Sequence, residues 1–187
     1  MDGWIKNIPK AVLHEHLDGG LRVDTLLDLA KKQNYNNLPS TNKIELLNWI
    51  EPKPNKSLAI NLEAWDHTIA VMQDEDSIYR VTMEALEDLS NDGVIYAELR
   101  FAPLVHCQNL LNPTEVVNAV LNGIKDGTNE FGILSGAILC SMRHLNNSKE
   151  VVNLCIENPD VLAFDLAGPE VGFSALNHKE SIQIAHQ

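Results

Sequence analysis

His14 and His16 stand two apart at the end of an apolar run, Ala11-Val12-Leu13-His14-Glu15-His16-Leu17. In a β-strand, side chains at i and i+2 point to the same face. A strand through this run therefore aims both imidazoles at one place and leaves Glu15 on the other face as a structural carboxylate. Two neutral imidazoles that converge are good ligands for Zn²⁺. Two histidines satisfied by ordinary hydrogen bonds would have the same spacing, so His-x-His alone leaves both readings open.

The elements that must position this pair can be read from periodicity. Three more apolar runs occur: Val94 to Phe101, Gly132 to Met142 and Val161 to Leu166. Helical patterns separate them. The spacing predicts a helix over about 24–32 and a short one near 43–49, inside the polar, Pro-bearing stretch 34–54. Leu58, Leu62, Trp65, Ile69 and Met72 recur at spacings of four and three, which is one face of a helix. Asp74 to Ser77 suits a helix start, and Ile78, Val81, Ala85 and Leu89 share one side of the helix behind it. Asn112-Pro113-Thr114-Glu115 reads as a cap with proline at the first helical position. Asn147-Ser148 is a further expected cap, and a last helix is expected from about Asn177.

Strands alternating with helices imply a parallel sheet, expected to be covered on both sides. An open doubly wound sheet and a barrel of strand-helix units both fit. No Gly-rich phosphate loop succeeds any strand, which weighs against a dinucleotide-binding fold. A full eight-unit barrel takes about 250 residues. Four units in 187 residues therefore suggest an α/β chain forming the amino-terminal half of a TIM-type (β/α)8 barrel. In such a barrel, chemistry is done at the carboxyl ends of the strands. Half a barrel leaves open strand edges and an uncovered inner face, so self-association or pairing with a carboxyl-terminal half is expected.

Composition narrows the partners. Lys plus Arg number 14 against 26 Asp plus Glu, a net charge of −12. With no basic run, nucleic acid and anionic membrane surfaces are disfavoured. No stretch approaches the roughly 20 apolar residues of a membrane span, and the amino terminus lacks the pattern of a signal peptide. Cys107, Cys140 and Cys155 are odd in number and set among apolar residues. They read as buried free thiols in a reducing cytoplasm.

Four phrases carry a family resemblance. Leu13-His14-Glu15-His16-Leu17-Asp18-Gly19-Gly20 resembles the first-strand signature of the adenosine deaminase family. Gly93 to Pro103 resembles its second strand, Ser141-Met142-Arg143-His144 the end of its third, and Phe164 to Glu170 its fourth strand and the loop after it. The phrases occur in family order and span about 8–187. The resemblance implies a barrel whose zinc activates a water that attacks C6 of the purine, turning adenosine into inosine with loss of ammonia. It implies His14 and His16 as two zinc ligands. It implies that Asp18 hydrogen-bonds the ribose and that the Gly168 backbone N–H meets a purine ring nitrogen. Stretch 40–73 matches a helical lid insertion, within one partial barrel spanning 1–187. The ligand is then a small purine nucleoside.

The remaining candidates are expected to be structural. Arg100 should pair with an acid such as Glu98 or Asp165, and Asp165 should hydrogen-bond within the strand bundle. His144 should support the mouth rather than ligate. His67, His106, His178 and His186 read as surface or helix histidines. The family's third histidine ligand, its aspartate ligand, its His-Ala-Gly-Glu phrase with the proton-shuttling glutamate, and its water-orienting histidine have no counterpart here. A zinc site usually needs three protein ligands, so the site is expected to be incomplete and the chain inactive by itself. The alternatives are an adenine or other purine deaminase, which usually carries Glu at the Asp18 place, a non-enzymatic barrel relic with a binding role, or another metal hydrolase such as a phosphoesterase.

Overall fold

The four apolar runs form four strands: β1 (Lys10–His16), β2 (Val94–Phe101), β3 (Leu134–Met142) and β4 (Val161–Ala167). In this computed structural model residues 3–6, 8–51 and 58–186 are described. The side chains of Leu58 and Leu62, the prolines at 52 and 54 and the final Gln187 lie outside the described residues. The helices are α1 (Gly3–Lys6), α2 (Val23–Lys32), α3 (Lys43–Ile50), α4 (Leu58–Val71), α5 (Glu75–Asn91), α6 (Pro113–Phe131), α7 (Ser148–Glu157) and α8 (Lys179–Ala185).

All three strand pairs are parallel, and their spatial order is β1-β2-β3-β4. A doubly wound sheet reverses its order at a switch point; this one does not reverse. Right-handed crossovers in an unreversed order put the connecting helices on one face. The sheet is therefore not covered on both sides, as the apolar runs alone suggested. Ala97, Leu99, Phe101, Ala137 and Leu139 are buried in the core that the helices complete. On the opposite, inner face Leu134 is 64% exposed and Leu162 52% exposed.

Local chemistry explains where the helices begin. The Asp74 carboxylate accepts the Ser77 N–H at 2.7 Å and starts α5. Asn112 and Glu115 form a full capping box at α6, with Pro113 at the first position, satisfying N–H groups that have no partner within the helix. Asn147 does not cap α7: its carboxamide oxygen instead accepts from the Ser141 hydroxyl at 3.2 Å, tying the helix start to the end of β3. The last helix is entered through a 3-10 turn at Ala175–His178 and becomes α-helical only at Lys179. Of the three thiols Cys140 is buried, while Cys107 and Cys155 are only half-buried.

The outer layer rests on α5 against α6. Val81, Thr82 and Leu86 meet Val116, Val120 and Ile124 in one buried seam. Gly123 lies close against α5: a Cβ there would sit 2.7 Å from Thr82 Cβ. Alanine is favoured over glycine within a helix by about 1 kcal/mol. Overpacking against a neighbour that cannot retreat costs about 1–3 kcal/mol, and here the neighbour is a β-branched residue of a packed helix. Gly123→Ala should therefore lower the midpoint of urea unfolding, a net loss of about 1 kcal/mol, despite its better helix propensity.

Candidate functional site

His14 and His16 reach one point by a route that simple alternation does not contain. Val12 pairs with Ala97 and Glu15 with Leu99, so β1 takes three steps while β2 takes two. The extra residue is a bulge, the device that commonly re-aims a strand beside a site. Leu13 is 57% exposed there, and its carbonyl accepts from the Arg100 Nη2 at 2.8 Å. The two histidine Nε2 atoms stand 3.1 Å apart. Two nitrogens bound at about 2.0–2.1 Å to one tetrahedral zinc lie about 3.3 Å from each other. The pair is thus spaced as two ligands of one ion, although a simple hydrogen bond between one protonated and one bare nitrogen satisfies the same distance.

Burial lowers the pKa of His16 and favours its neutral ring, with Asp18 pulling the other way. Burial likewise raises Glu15, opposed by His14. The Trp65 indole of α4 lies over His16, ring centres 4.8 Å apart. Among the described residues no group of three or more His, Cys, Asp or Glu could hold a metal ion. The two histidines are therefore at most part of a ligand set.

His14, His16, Asp18 and Gly168 all line one cavity of about 520 Å³ at the carboxyl ends of the strands. Asp18 lies just after β1 in the 3-10 turn Leu17–Gly19 and is buried. Its Oδ2 accepts the Ala102 N–H at 3.1 Å, and its backbone carbonyl accepts from the Thr68 hydroxyl of α4 at 2.6 Å. Its Oδ1 is buried without a partner. Gly168 lies just after β4 with φ +92°, a conformation costly to any residue with a Cβ, and a Cβ would lie 3.2 Å from Met142 Cε.

Arg100 projects from the inner face near the carboxyl end of β2. Its Nη1 meets Asp165 Oδ2 at 2.9 Å; of the two acids expected to pair with it the partner is Asp165, while the Glu98 carboxylate accepts from Tyr96. Asp165 also accepts from its neighbour's Leu166 N–H and from the Cys140 thiol. Burial and Asp165 push that thiol far up, so it stays protonated. His144 lines the cavity with its ring edge-on to Phe173.

Two of the histidines expected at the surface or on helices lie in 3-10 turns and are buried. His106 is 1% exposed, with Nδ1 on the Met72 carbonyl and Nε2 3.7 Å from Asp18 Oδ2. Its place, just past the end of β2, was the available signal, because strand ends are where a barrel keeps its working residues. His178 is buried as well. Its Nε2 donates to the Arg143 carbonyl, and its Nδ1 accepts from the Ser148 hydroxyl, which in turn contacts Ser181. That chain anchors the segment after the Gly168 turn to the start of α7. His67 is partly buried and bonded to Tyr35, and His186 is exposed.

Comparison with known proteins decides the family. The family model for adenosine deaminase matches residues 9–186. The chain belongs to the adenosine deaminase family. It is 45% identical to the adenosine deaminase of Clostridium acetobutylicum, covering 97% of this chain and 55% of that protein. It is 41% identical to that of Mycobacterium ulcerans, covering 96% and 52%. The chain thus spans about half the length of the curated adenosine deaminases it matches. Among solved structures, the adenine deaminase of Arthrobacter aurescens superposes with a TM-score of 0.84 at 24% identity, over 94% of this chain and 54% of that one. The N6-mAMP deaminase of Arabidopsis gives 0.80 at 26%, over 98% and 57%. An amidohydrolase from Burkholderia ambifaria with bound Zn gives 0.81 at 20%, over 98% and 50%. The fold of this adenosine deaminase family member is accordingly that of the amino-terminal half of a TIM-type barrel.

The ion pairs at the mouth are not equivalent. Arg100 is nearly buried, and removing its partner strands a charge. Glu170, paired with Arg143 at 3.0 Å, is 78% exposed. Asp165→Ala should cost roughly 3 kcal/mol, and Glu170→Ala less than about 1 kcal/mol, compared by urea denaturation of the two variants.

Proposed function

We propose that this chain forms one half of a zinc-dependent deaminase that hydrolyses adenosine or deoxyadenosine to inosine or deoxyinosine, releasing ammonia. The observation that carries this reading is the 3.1 Å approach of the two histidine Nε2 atoms on the wall of the cavity shared with Asp18 and Gly168. His14 and His16 would hold the ion through Nε2, with their protons on Nδ1. Bound zinc supplies a nucleophile at neutral pH by lowering the pKa of water to about 7.

The chain's own residues would bind and orient the nucleoside. Asp18 Oδ1, an acceptor without a donor, suits a ribose hydroxyl. Gly168 allows a close approach of the purine to its backbone N–H. Trp65 over His16 would keep bulk water from the metal side, with α3 and α4 as the helical lid of stretch 40–73. Asp18 rather than Glu favours the nucleoside over the free base, which sets adenine deamination second.

The remaining ligands and the proton-shuttling glutamate would come from a carboxyl-terminal half. That half would also cover the inner face left exposed at Leu134 and Leu162; a second copy of this chain is the other candidate cover. Three free thiols support a cytoplasmic location. No helix among the described residues is long and apolar enough to cross a membrane.

Two measurements test the reading. Competition with a chromophoric chelator should show one Zn²⁺ per chain, weakened at least about tenfold by His14→Ala or His16→Ala as one coordination bond is lost. The absorbance change of adenosine on deamination should be absent with the chain and Zn²⁺ alone. It should appear when the carboxyl-terminal half of a relative is added. Zinc binding indifferent to both histidines, or turnover by the chain alone, would overturn the assignment.

A further inference from the structure

Among the described residues, three buried side-chain polar atoms lack a hydrogen-bond partner: Asp18 Oδ1, His106 Nε2 and Arg100 Nε. Two of them belong to a single contact. Native interiors satisfy nearly all such atoms, and exceptions cluster where something else is meant to bind. Asp18 lines the cavity; His106 does not.

One proton of the His106 ring is placed by its partner. Nδ1 lies 3.0 Å from the Met72 carbonyl, and a carbonyl only accepts, so Nδ1 carries hydrogen. Nε2 then faces Asp18 Oδ2 at 3.7 Å, with side chains exposed 1% and 4%. That gap is too short to admit a water between them. Oδ2 is also held by the Ala102 N–H. One oxygen of the carboxylate thus lies between a backbone amide and an imidazole edge. These two neighbours confine the carboxylate on that side, and Oδ1 is left as its one unpartnered acceptor.

We infer that His106 is a positioning residue: it sets the orientation of Asp18, and through Asp18 the selection of ligands that bring a hydroxyl donor over ligands that do not. The inference rests on the proposed nucleoside cavity and adds a residue outside it. It also joins the lid to the wall. Met72 comes directly after α4, Gln73 bonds the Ile69 and Val105 carbonyls and accepts from the Gln108 N–H, and Thr68 holds the Asp18 carbonyl. The end of α4 and the segment after β2 are therefore tied together, with His106 between them and Asp18.

Adenosine and adenine are the probes, since they differ by the ribose that Asp18 would read. Binding to the intact chain is monitored by ligand-observed NMR. The wild type should favour adenosine. His106→Asn keeps a donor near the Met72 carbonyl and vacates the Asp18 side; it should weaken adenosine about tenfold, one charge-assisted hydrogen bond, and leave adenine unchanged. His106→Gln, with an amide that reaches Asp18, should restore most of the preference. A merely structural histidine would weaken both ligands alike in both variants. Ring ¹⁵N shifts of the wild type supply a test independent of either variant's folding: Nδ1 must be protonated, and a bare Nδ1 overturns the inference. A wild-type preference that survives in His106→Asn overturns it while leaving the nucleoside reading intact. No preference in the wild type overturns both.

Discussion

A guanidinium on the inner face of a sheet must find its counter-charge within reach, and Arg100 finds it by spanning strands. From β2 it takes Asp165 on β4 and the Leu13 carbonyl on β1. The second of these lies in the bulge that turns His14 and His16 toward one another. One buried cation thus holds the two edges of the sheet at a fixed separation and steadies the kink on which the histidine pair depends. A buried pair of this kind adds little net stability over an apolar replacement. Its value lies in geometry, because breaking it leaves a charge that nothing else nearby can meet.

The cavity wall is assembled from three places in the chain. Asp18 comes from the turn after β1, its amide clamp Ala102 from the end of β2, and Gly168 from the end of β4. Each lies one or two residues past a strand, where the sheet register fixes the backbone and a short turn can still be varied. The helices add a second constraint from outside. Thr68 and the Met72 carbonyl reach from α4 to Asp18 and His106, and Gln33 ties the end of α2 to the Val71 carbonyl. α4 and the wall are held together by side-chain bonds to backbone carbonyls, which depend on helix position more than on the packing of any one residue.

Much of this was legible in the sequence, for reasons that are local. The strands showed as apolar runs because a parallel strand needs apolar side chains, and α5 and α6 announced themselves through Asp74 and the Asn112–Glu115 box. His14, His16, Asp18 and Gly168 could be picked out by motif, and they do line one cavity. What was not legible is non-local. The bulge at Leu13 exists only in the register of β1 against β2. The burial of His106 and His178 depends on partners 34 and 30 residues away. Asn147 looked like a cap, but a serine of β3 claims its side chain.

The anchor beneath the β4 turn has a consequence for how such a cavity diversifies. His178, Ser148 and Ser181 hold the segment beyond Gly168, yet none of them lines the cavity. The turn rests on an adjustable mount. A one-atom change in either serine would alter the bonds that hold that segment while every residue lining the cavity keeps its identity. The shape of the cavity can therefore drift through residues that a survey of contact positions would pass over.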